Sequence, residues 1–192
     1  MARSRTGDRK APVPRSVQAD LPSSRPSLAS ATVPRVWQGV GYRPLPDVAA
    51  ARPLFDFAAV PWPDGDIAFG WGAWRATGTA APQGAAERLV GAVVAETNGR
   101  ATMLHGPVVI DDDGAVEIAA QLVAVVLDHA AAAGAETIFT RPQGLDRVWV
   151  RFGFIPVPES TLPRGLAGRP GSGLYAWRDG SALWTLRETA SA

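Results

Sequence analysis

Between Arg88 and Pro163 the spacing of apolar residues switches between a two-residue and a three-to-four-residue period, and each switch marks a new element. The run RLVGAVVAET, residues 88–97, is almost unbroken in apolar and β-branched residues, which predicts a strand covered on both faces. Asn98-Gly99 follows, and both residues tolerate the positive φ of a type I′ turn. A hairpin is therefore expected, with ATMLHGPVVI, 101–110, as the returning strand. Inside it Gly106-Pro107 lacks one ladder N–H and one side chain, so the strand should bend there and part from its neighbour. Asp111, Asp112, Asp113 and Gly114 end it.

A helix is predicted next. In AVEIAAQLVAVVLDHAAAAG, Val116, Ala119, Ala120, Val123, Val126, Leu127 and Ala130 recur at helical spacing, while Glu117, Gln121 and Asp128 collect opposite. Asp112 or Asp113 is the expected N-cap and Gly134 the expected stop; His129 reads as a partner for the C-terminal dipole. ETIFTRP is a short strand, so strand, helix and strand form a crossover whose outer strands are parallel. GLDRVWVRFGF adds a helical turn or two and exits into FIPV. The tail offers a second hairpin candidate at Asp179-Gly180.

The 192 residues suffice for one domain with a substantial core. There is no cysteine, which excludes disulfide frameworks, thiolate catalysis and thiolate-bound zinc. No run of about 18 apolar residues is free of charge, so no membrane span is expected. Residues 1–35 carry seven Lys or Arg against two Asp, a balance of +5, and the remaining 12 basic and 16 acidic residues a balance of −4. That first segment is rich in Pro, Ser and Arg without periodicity, and is read as a disordered tail ahead of one domain, 36–192. It has no apolar signal-peptide core, and the expected location is the cytoplasm. A solvated tail, or a tether to an acidic partner, nucleic acid or a membrane surface, are the two readings of its charge. Trp62, Trp71 and Trp74 divide in the same way: a regular strand puts Trp71 and Trp74 on opposite faces, one to the core, the other free to stack on a substrate or a protein partner. No helix-turn-helix or zinc-finger spacing points to nucleic acid.

From about Val36 to Glu188 the chain resembles the GCN5-related N-acetyltransferase superfamily. VGYRPLPDVAAARPLF is similar to the opening strand and first helix of that fold, RLVGAVVAE to its third strand, HGPVVI to its bulged fourth strand, and RFGFIPVPESTLP to its fourth helix and the strand after it. GFIPVPESTLPRGL is especially like the tail of amino-acid N-acetyltransferases. The resemblance implies an α/β fold with a mixed, centrally splayed sheet flanked by helices. It also implies acetyl-coenzyme A bound in the gap between strands 101–110 and 136–142, and a small amine or amino acid as acceptor. Fold alone does not transfer activity. The alternative is a non-catalytic module of the same fold that engages a protein through the basic tail or the tryptophan-containing loop AAVPWPDGD.

Two departures from the family pattern stand out. A Gln/Arg-x-x-Gly-x-Gly/Ala loop normally cradles the pyrophosphate, whereas the matching stretch here is DDDGAVEIA. Like charges 4 Å apart repel by about 4 kcal/mol at an effective dielectric near 20, so three carboxylates have the wrong sign for a phosphate. A capped and dipole-complemented helix start is one account of them, a metal-assisted phosphate site another, and a site for a different ligand the third. Adjacent side chains of an extended segment diverge, and no metal is expected. In the family's Tyr-x-x-x-Gly-Phe arrangement the tyrosine reprotonates the departing thiolate, and Trp149 stands at that position. An indole N–H donates a hydrogen bond but is no acid at neutral pH, so Trp149 is either a packing residue or a donor beside the cofactor.

The expected cofactor contacts are the backbone of Val108, Val109 and Ile110, the helix start at Gly114, Ala115, Val116 and Ile118, and Trp149. The proton of an acceptor ammonium needs a base. His105, just before the expected bulge, is the first candidate, and Glu96, at the end of the preceding strand, the second.

Overall fold

A computed structural model describes residues 26–77, 86–111, 114–166 and 183–186. Its strands are β1 (Arg35–Trp37), β2 (Val40–Pro44), β3 (Ile67–Thr77), β4 (Ala86–Asn98), β5 (Ala101–Val109), β6 (Thr137–Thr140), β7 (Phe154–Pro156) and β8 (Trp184–Leu186). Its helices are α1 (Leu28–Ala31), α2 (Arg52–Phe57), α3 (Ala115–Ala132) and α4 (Asp146–Arg151). The strands form one mixed sheet in the order β1-β2-β3-β4-β5-β6-β8-β7, in which β5 and β6 are parallel and the other neighbours antiparallel. A mixed sheet flanked by helices is the architecture the resemblance implies.

Gly99, at φ +59, closes the β4–β5 hairpin. Residues 90–96 of β4 are buried throughout because α3 covers one face and α2 the other, which explains their lack of alternation. The α3 face holds Val93, Ala95, Leu104 and Trp71; the opposite face holds Ala92, Val94 and Val108 under Leu54 and Phe55. Farther along that second face Met103 and Phe139 are covered by Leu162 and Leu166 from the segment after β7.

β6 lies parallel to β5 because the hairpin end holds its entry: the Glu136 N–H donates to the Arg100 carbonyl at 2.8 Å, and the two side chains form an ion pair. From there Ala101–Leu104 pair with Thr137–Thr140 and the ladder stops, although β5 continues to Val109. Two local features end it. The Thr140 hydroxyl donates to the Leu104 carbonyl at 3.2 Å, so a side chain satisfies the acceptor that another rung would use. Beyond it, Ala92 faces Val108 while Val94 faces His105, so β5 carries one residue more than β4 and bulges at Gly106-Pro107. Gly106 adopts φ +92, and a Cβ there would lie 3.0 Å from the Ala92 carbonyl oxygen. β5 and β6 therefore diverge as a wedge.

α3 starts at Ala115, as its periodicity predicts, but its cap is not an aspartate. Its N-cap is Gly114, at φ 80 and ψ 22, with no side-chain capping bond, because a residue without Cβ turns freely into the helix in that left-handed conformation. Asp112 and Asp113 lie outside the described residues. Gly134, at φ +92, ends the helix as expected, with the Ala135 N–H reaching the Ala130 carbonyl at 2.9 Å. Val116, grouped with the apolar face by its spacing, is 59% exposed, since the first turn of α3 overhangs the sheet at the mouth of the wedge. α3 is the one helix among the described residues long and apolar enough to cross a membrane; here it lies against the sheet and supplies much of the core.

His129 is not the cation that its place in the last turn suggests. Its Nδ1 accepts a hydrogen bond from Trp71 Nε1 at 3.1 Å and its ring stacks on Phe69 at 4.0 Å. Burial lowers its pKa from the ordinary 6.5, favouring the neutral ring that can accept. A depressed folded-state value means that its contribution is full above pH 6.5 and is lost as pH falls through the folded value. Thermal melts of His129→Phe are therefore expected to lose part of the wild type's stability decline below that pH. The variant should be less stable at neutral pH by about 1–3 kcal/mol, because the buried indole N–H loses its acceptor. Parallel pH profiles for the two proteins would refute this assignment.

One boundary differs from the sequence reading. Residues 26–35, placed in the tail by composition, belong to the fold: Ser27 caps α1 by accepting from the Ser30 N–H, Ala31 is buried, and Arg35 pairs with Asp128 of α3 at 2.6 Å. A single helical turn is too short to show a period. Residues 1–25 and the Asp179-Gly180 hairpin candidate lie outside the described residues.

Candidate active site at the wedge

His105 and Glu96 lie nine positions apart in sequence and meet because the hairpin register sets Val94 opposite His105 and Glu96 opposite Met103. Both side chains then fall on the face away from α3, where His105 Nε2 and Glu96 Oε2 are 3.1 Å apart. His105 is 8% exposed and Glu96 1%, between the Phe55 cluster on one side and the Met103–Leu162 cluster on the other. A carboxylate only accepts, so Nε2 carries the proton and the lone pair of the neutral ring is on Nδ1. His105 is also the first residue of β5 past the last rung to β6, and so stands at the apex of the wedge.

Among the described residues, three cavities lie about the wedge and the start of α3. The first, about 260 Å³, lies between the end of α2, the bulged part of β5, the start of α3 and the loop after β6; Pro107, Val108, Val109, Ala115 and Gly144 line it. A second, about 330 Å³, shares Gly144 and Leu145 with the first and runs on along Val116 and the first turn of α4. The third, about 30 Å³, lies on the other side of the helix start, among Trp37, Tyr42, Arg75, Gly114, Glu117 and Ile118.

The expected cofactor contacts separate accordingly. Val108, Val109 and Ala115 line the first cavity and Val116 the second. Gly114 and Ile118 border the small third cavity, and Ile118 is otherwise part of the core. Ile110 lies just beyond β5 and donates its N–H to the Val90 carbonyl at 2.9 Å, so that donor is committed to the sheet. Trp149 is fully buried, edge-on to Phe154 at 4.8 Å, and lines neither of the two larger cavities. Tyr42 does not replace the missing tyrosine: burial, with Glu117 nearby, pushes its hydroxyl up to about 12.

The tertiary structure supplies cations that the DDDG loop lacks. Arg75 reaches from β3 to Asp111 at 2.9 Å, and Arg151 of α4 lies 3.5 Å from Glu117. The loop 143–145 and the fork of Arg141 onto Glu159, at 2.7 and 2.9 Å, were not singled out in the sequence. Pro142-Gln143-Gly144 after a strand is the turn signal that marks the former. Arg141 is the first residue of β6's chain past the last rung, and its buried guanidinium ties the wedge to the segment after β7. Trp62 packs edge-on against Phe55 at 5.1 Å, and Trp71 is buried on the α3 face. Trp74 is partly buried on the other face under the Arg43 guanidinium, 4.3 Å from its ring.

No family model and no curated protein matches this chain. Among solved structures, the crystal structure of aminoglycoside 6'-acetyltransferase type Ii is similar, with a TM-score of 0.38 and 16% identity over 58% of this chain. The match spans 66% of that enzyme's length. Such a likeness is loose; the strand order, the crossover and the wedge define the fold of this chain.

Proposed function

We propose that the protein is an acyl-coenzyme A-dependent N-acyltransferase that transfers an acetyl group to a small amine or amino acid. The observation that carries this reading is the buried His105–Glu96 pair at the apex of a wedge with a cavity beside it. The edge of β5 from His105 to Val109 that faces away from β4 has no strand partner among the described residues. Its backbone, with the apolar wall of Pro107, Val108, Val109, Ala115 and Leu145 and the amide of Gln143, suits an arm of alternating alkyl and amide groups.

Acetyl-coenzyme A, when bound, supplies the activated thioester. The chain's own groups prepare the acceptor. His105 Nδ1 takes the proton of the acceptor ammonium, leaving a neutral amine for attack on the acyl carbon. Glu96 holds the ring in the tautomer that leaves Nδ1 free and stabilises the imidazolium that forms. The leaving thiolate takes its proton from solvent, since Trp149 is in the core and Tyr42 holds its proton too tightly.

Acetyl-coenzyme A at a hundredfold excess over its dissociation constant is expected to stabilise the native state by about 2.7 kcal/mol, read as a rise in melting temperature. Absence of any shift at millimolar ligand would remove the transferase reading.

A further inference from the structure

On the transferase reading of the two larger cavities, we infer that Arg147 holds a phosphate at the nucleotide end of the acyl donor. The second cavity continues the first through Gly144 and Leu145, so a ligand whose arm lies along Val108 and Val109 extends past Val116 to the first turn of α4. A coenzyme A thioester is strongly anionic at that end, and burying phosphate charge without a counter-charge is costly. The loop before α3 cannot supply one, because its side chains are themselves acidic.

Three arginines approach this region, and their commitments differ. Arg75 is paired with Asp111, and Arg151 faces Glu117. Arg147 lines the second cavity and makes no ion pair among the described residues. Asp146 also lines it, but as the first residue of α4 it complements the open N–H groups of that turn, and its side chain leaves the helix about 100° away from that of Arg147. A guanidinium presents parallel N–H donors that match two oxygens of one phosphate, and it stays charged at any working pH. The anion-binding duty thus passes from the loop to α4.

The test is calorimetric titration of the full chain with coenzyme A, dephospho-coenzyme A and pantetheine. Arg147→Gln is expected to weaken coenzyme A about tenfold, in line with loss of one charge-assisted contact, and to leave pantetheine unchanged. Arg147→Lys should fall between, and the loss should shrink as salt is raised. With dephospho-coenzyme A, a persisting loss assigns the bridging diphosphate to Arg147 and a vanished loss assigns the ribose 3′-phosphate; either supports the contact. If Arg147→Gln binds coenzyme A as tightly as the wild type, the inference is overturned while the cavity reading stands. If the wild type binds no coenzyme A at millimolar concentration, the cavity reading itself fails.

Discussion

Turnover by His105→Ala is expected to fall about 10²- to 10⁴-fold with affinity for acetyl-coenzyme A unchanged, the loss that removal of a positioned base produces. The split follows from geometry: His105 lies on the α2 face at the apex of the wedge, whereas the cavity proposed for the donor arm begins at Pro107. A buried pair that loses one partner leaves the other uncompensated, so the alanine variant is also expected to melt earlier. His105→Gln separates the two effects, because its amide can still donate to Glu96 but has no basic nitrogen. It should regain stability and remain inactive. Glu96→Gln, which keeps an acceptor for Nε2–H but withdraws the charge that steadies an imidazolium, should give an intermediate loss. Wild-type turnover in a folded His105→Gln protein would strike His105 from the mechanism.

Trp149→Ala should cost about 3–5 kcal/mol of stability, the usual range for emptying a large aromatic site in a core. Native domains have only about 5–15 kcal/mol in hand, so much of the population would unfold on mild heating. Trp149 is fully buried, packs on Phe154, and shares the core of α3 with Val148 and Ile138. For the same reason Trp149→Tyr is expected to leave turnover per folded molecule unaltered, although it restores the residue type of the family pattern. A rise in turnover with Tyr, or a Trp149→Ala protein of native stability that has lost donor binding, would show that this side chain reaches the cavity after all.

The fold was legible in the sequence to the extent that its signals are short-range. Asn98-Gly99, Gly106-Pro107 and Gly134 each dictate a backbone conformation, and they fall where the structure turns, bulges and stops. Where a signal competed with another, the reading slipped. Three aspartates before a helix look like caps, yet Gly114 takes the N-cap with its own freedom of φ. His129 looked like a cation for a helix end, and a tryptophan 58 positions away made it a neutral acceptor. α1 leaves no periodic signal in the sequence because it is a single turn.

The candidate site was less legible, and for one physical reason. Glu96 and His105 were named separately, by residue type and place in a strand, but that they touch depends on the register of β4 against β5, including the extra residue at the bulge. The fork from Arg141 to Glu159, the approach of Arg75 and Arg151 to the helix start, and the place of Arg147 beside the second cavity each depend on elements brought together by the crossover and by packing on α3.

Local chemistry in the chain was enough to decide the β4–β5 hairpin, its bulge, the long helix α3 and the crossover that sets two strands parallel, because backbone sterics and side-chain period act within a few residues. Which charges neutralise one another, which histidine is held by a carboxylate and which by an indole, and where a cavity opens were decided only on folding. Such interactions fall off over a few ångströms and connect residues whose separation along the chain carries no trace of their distance in space.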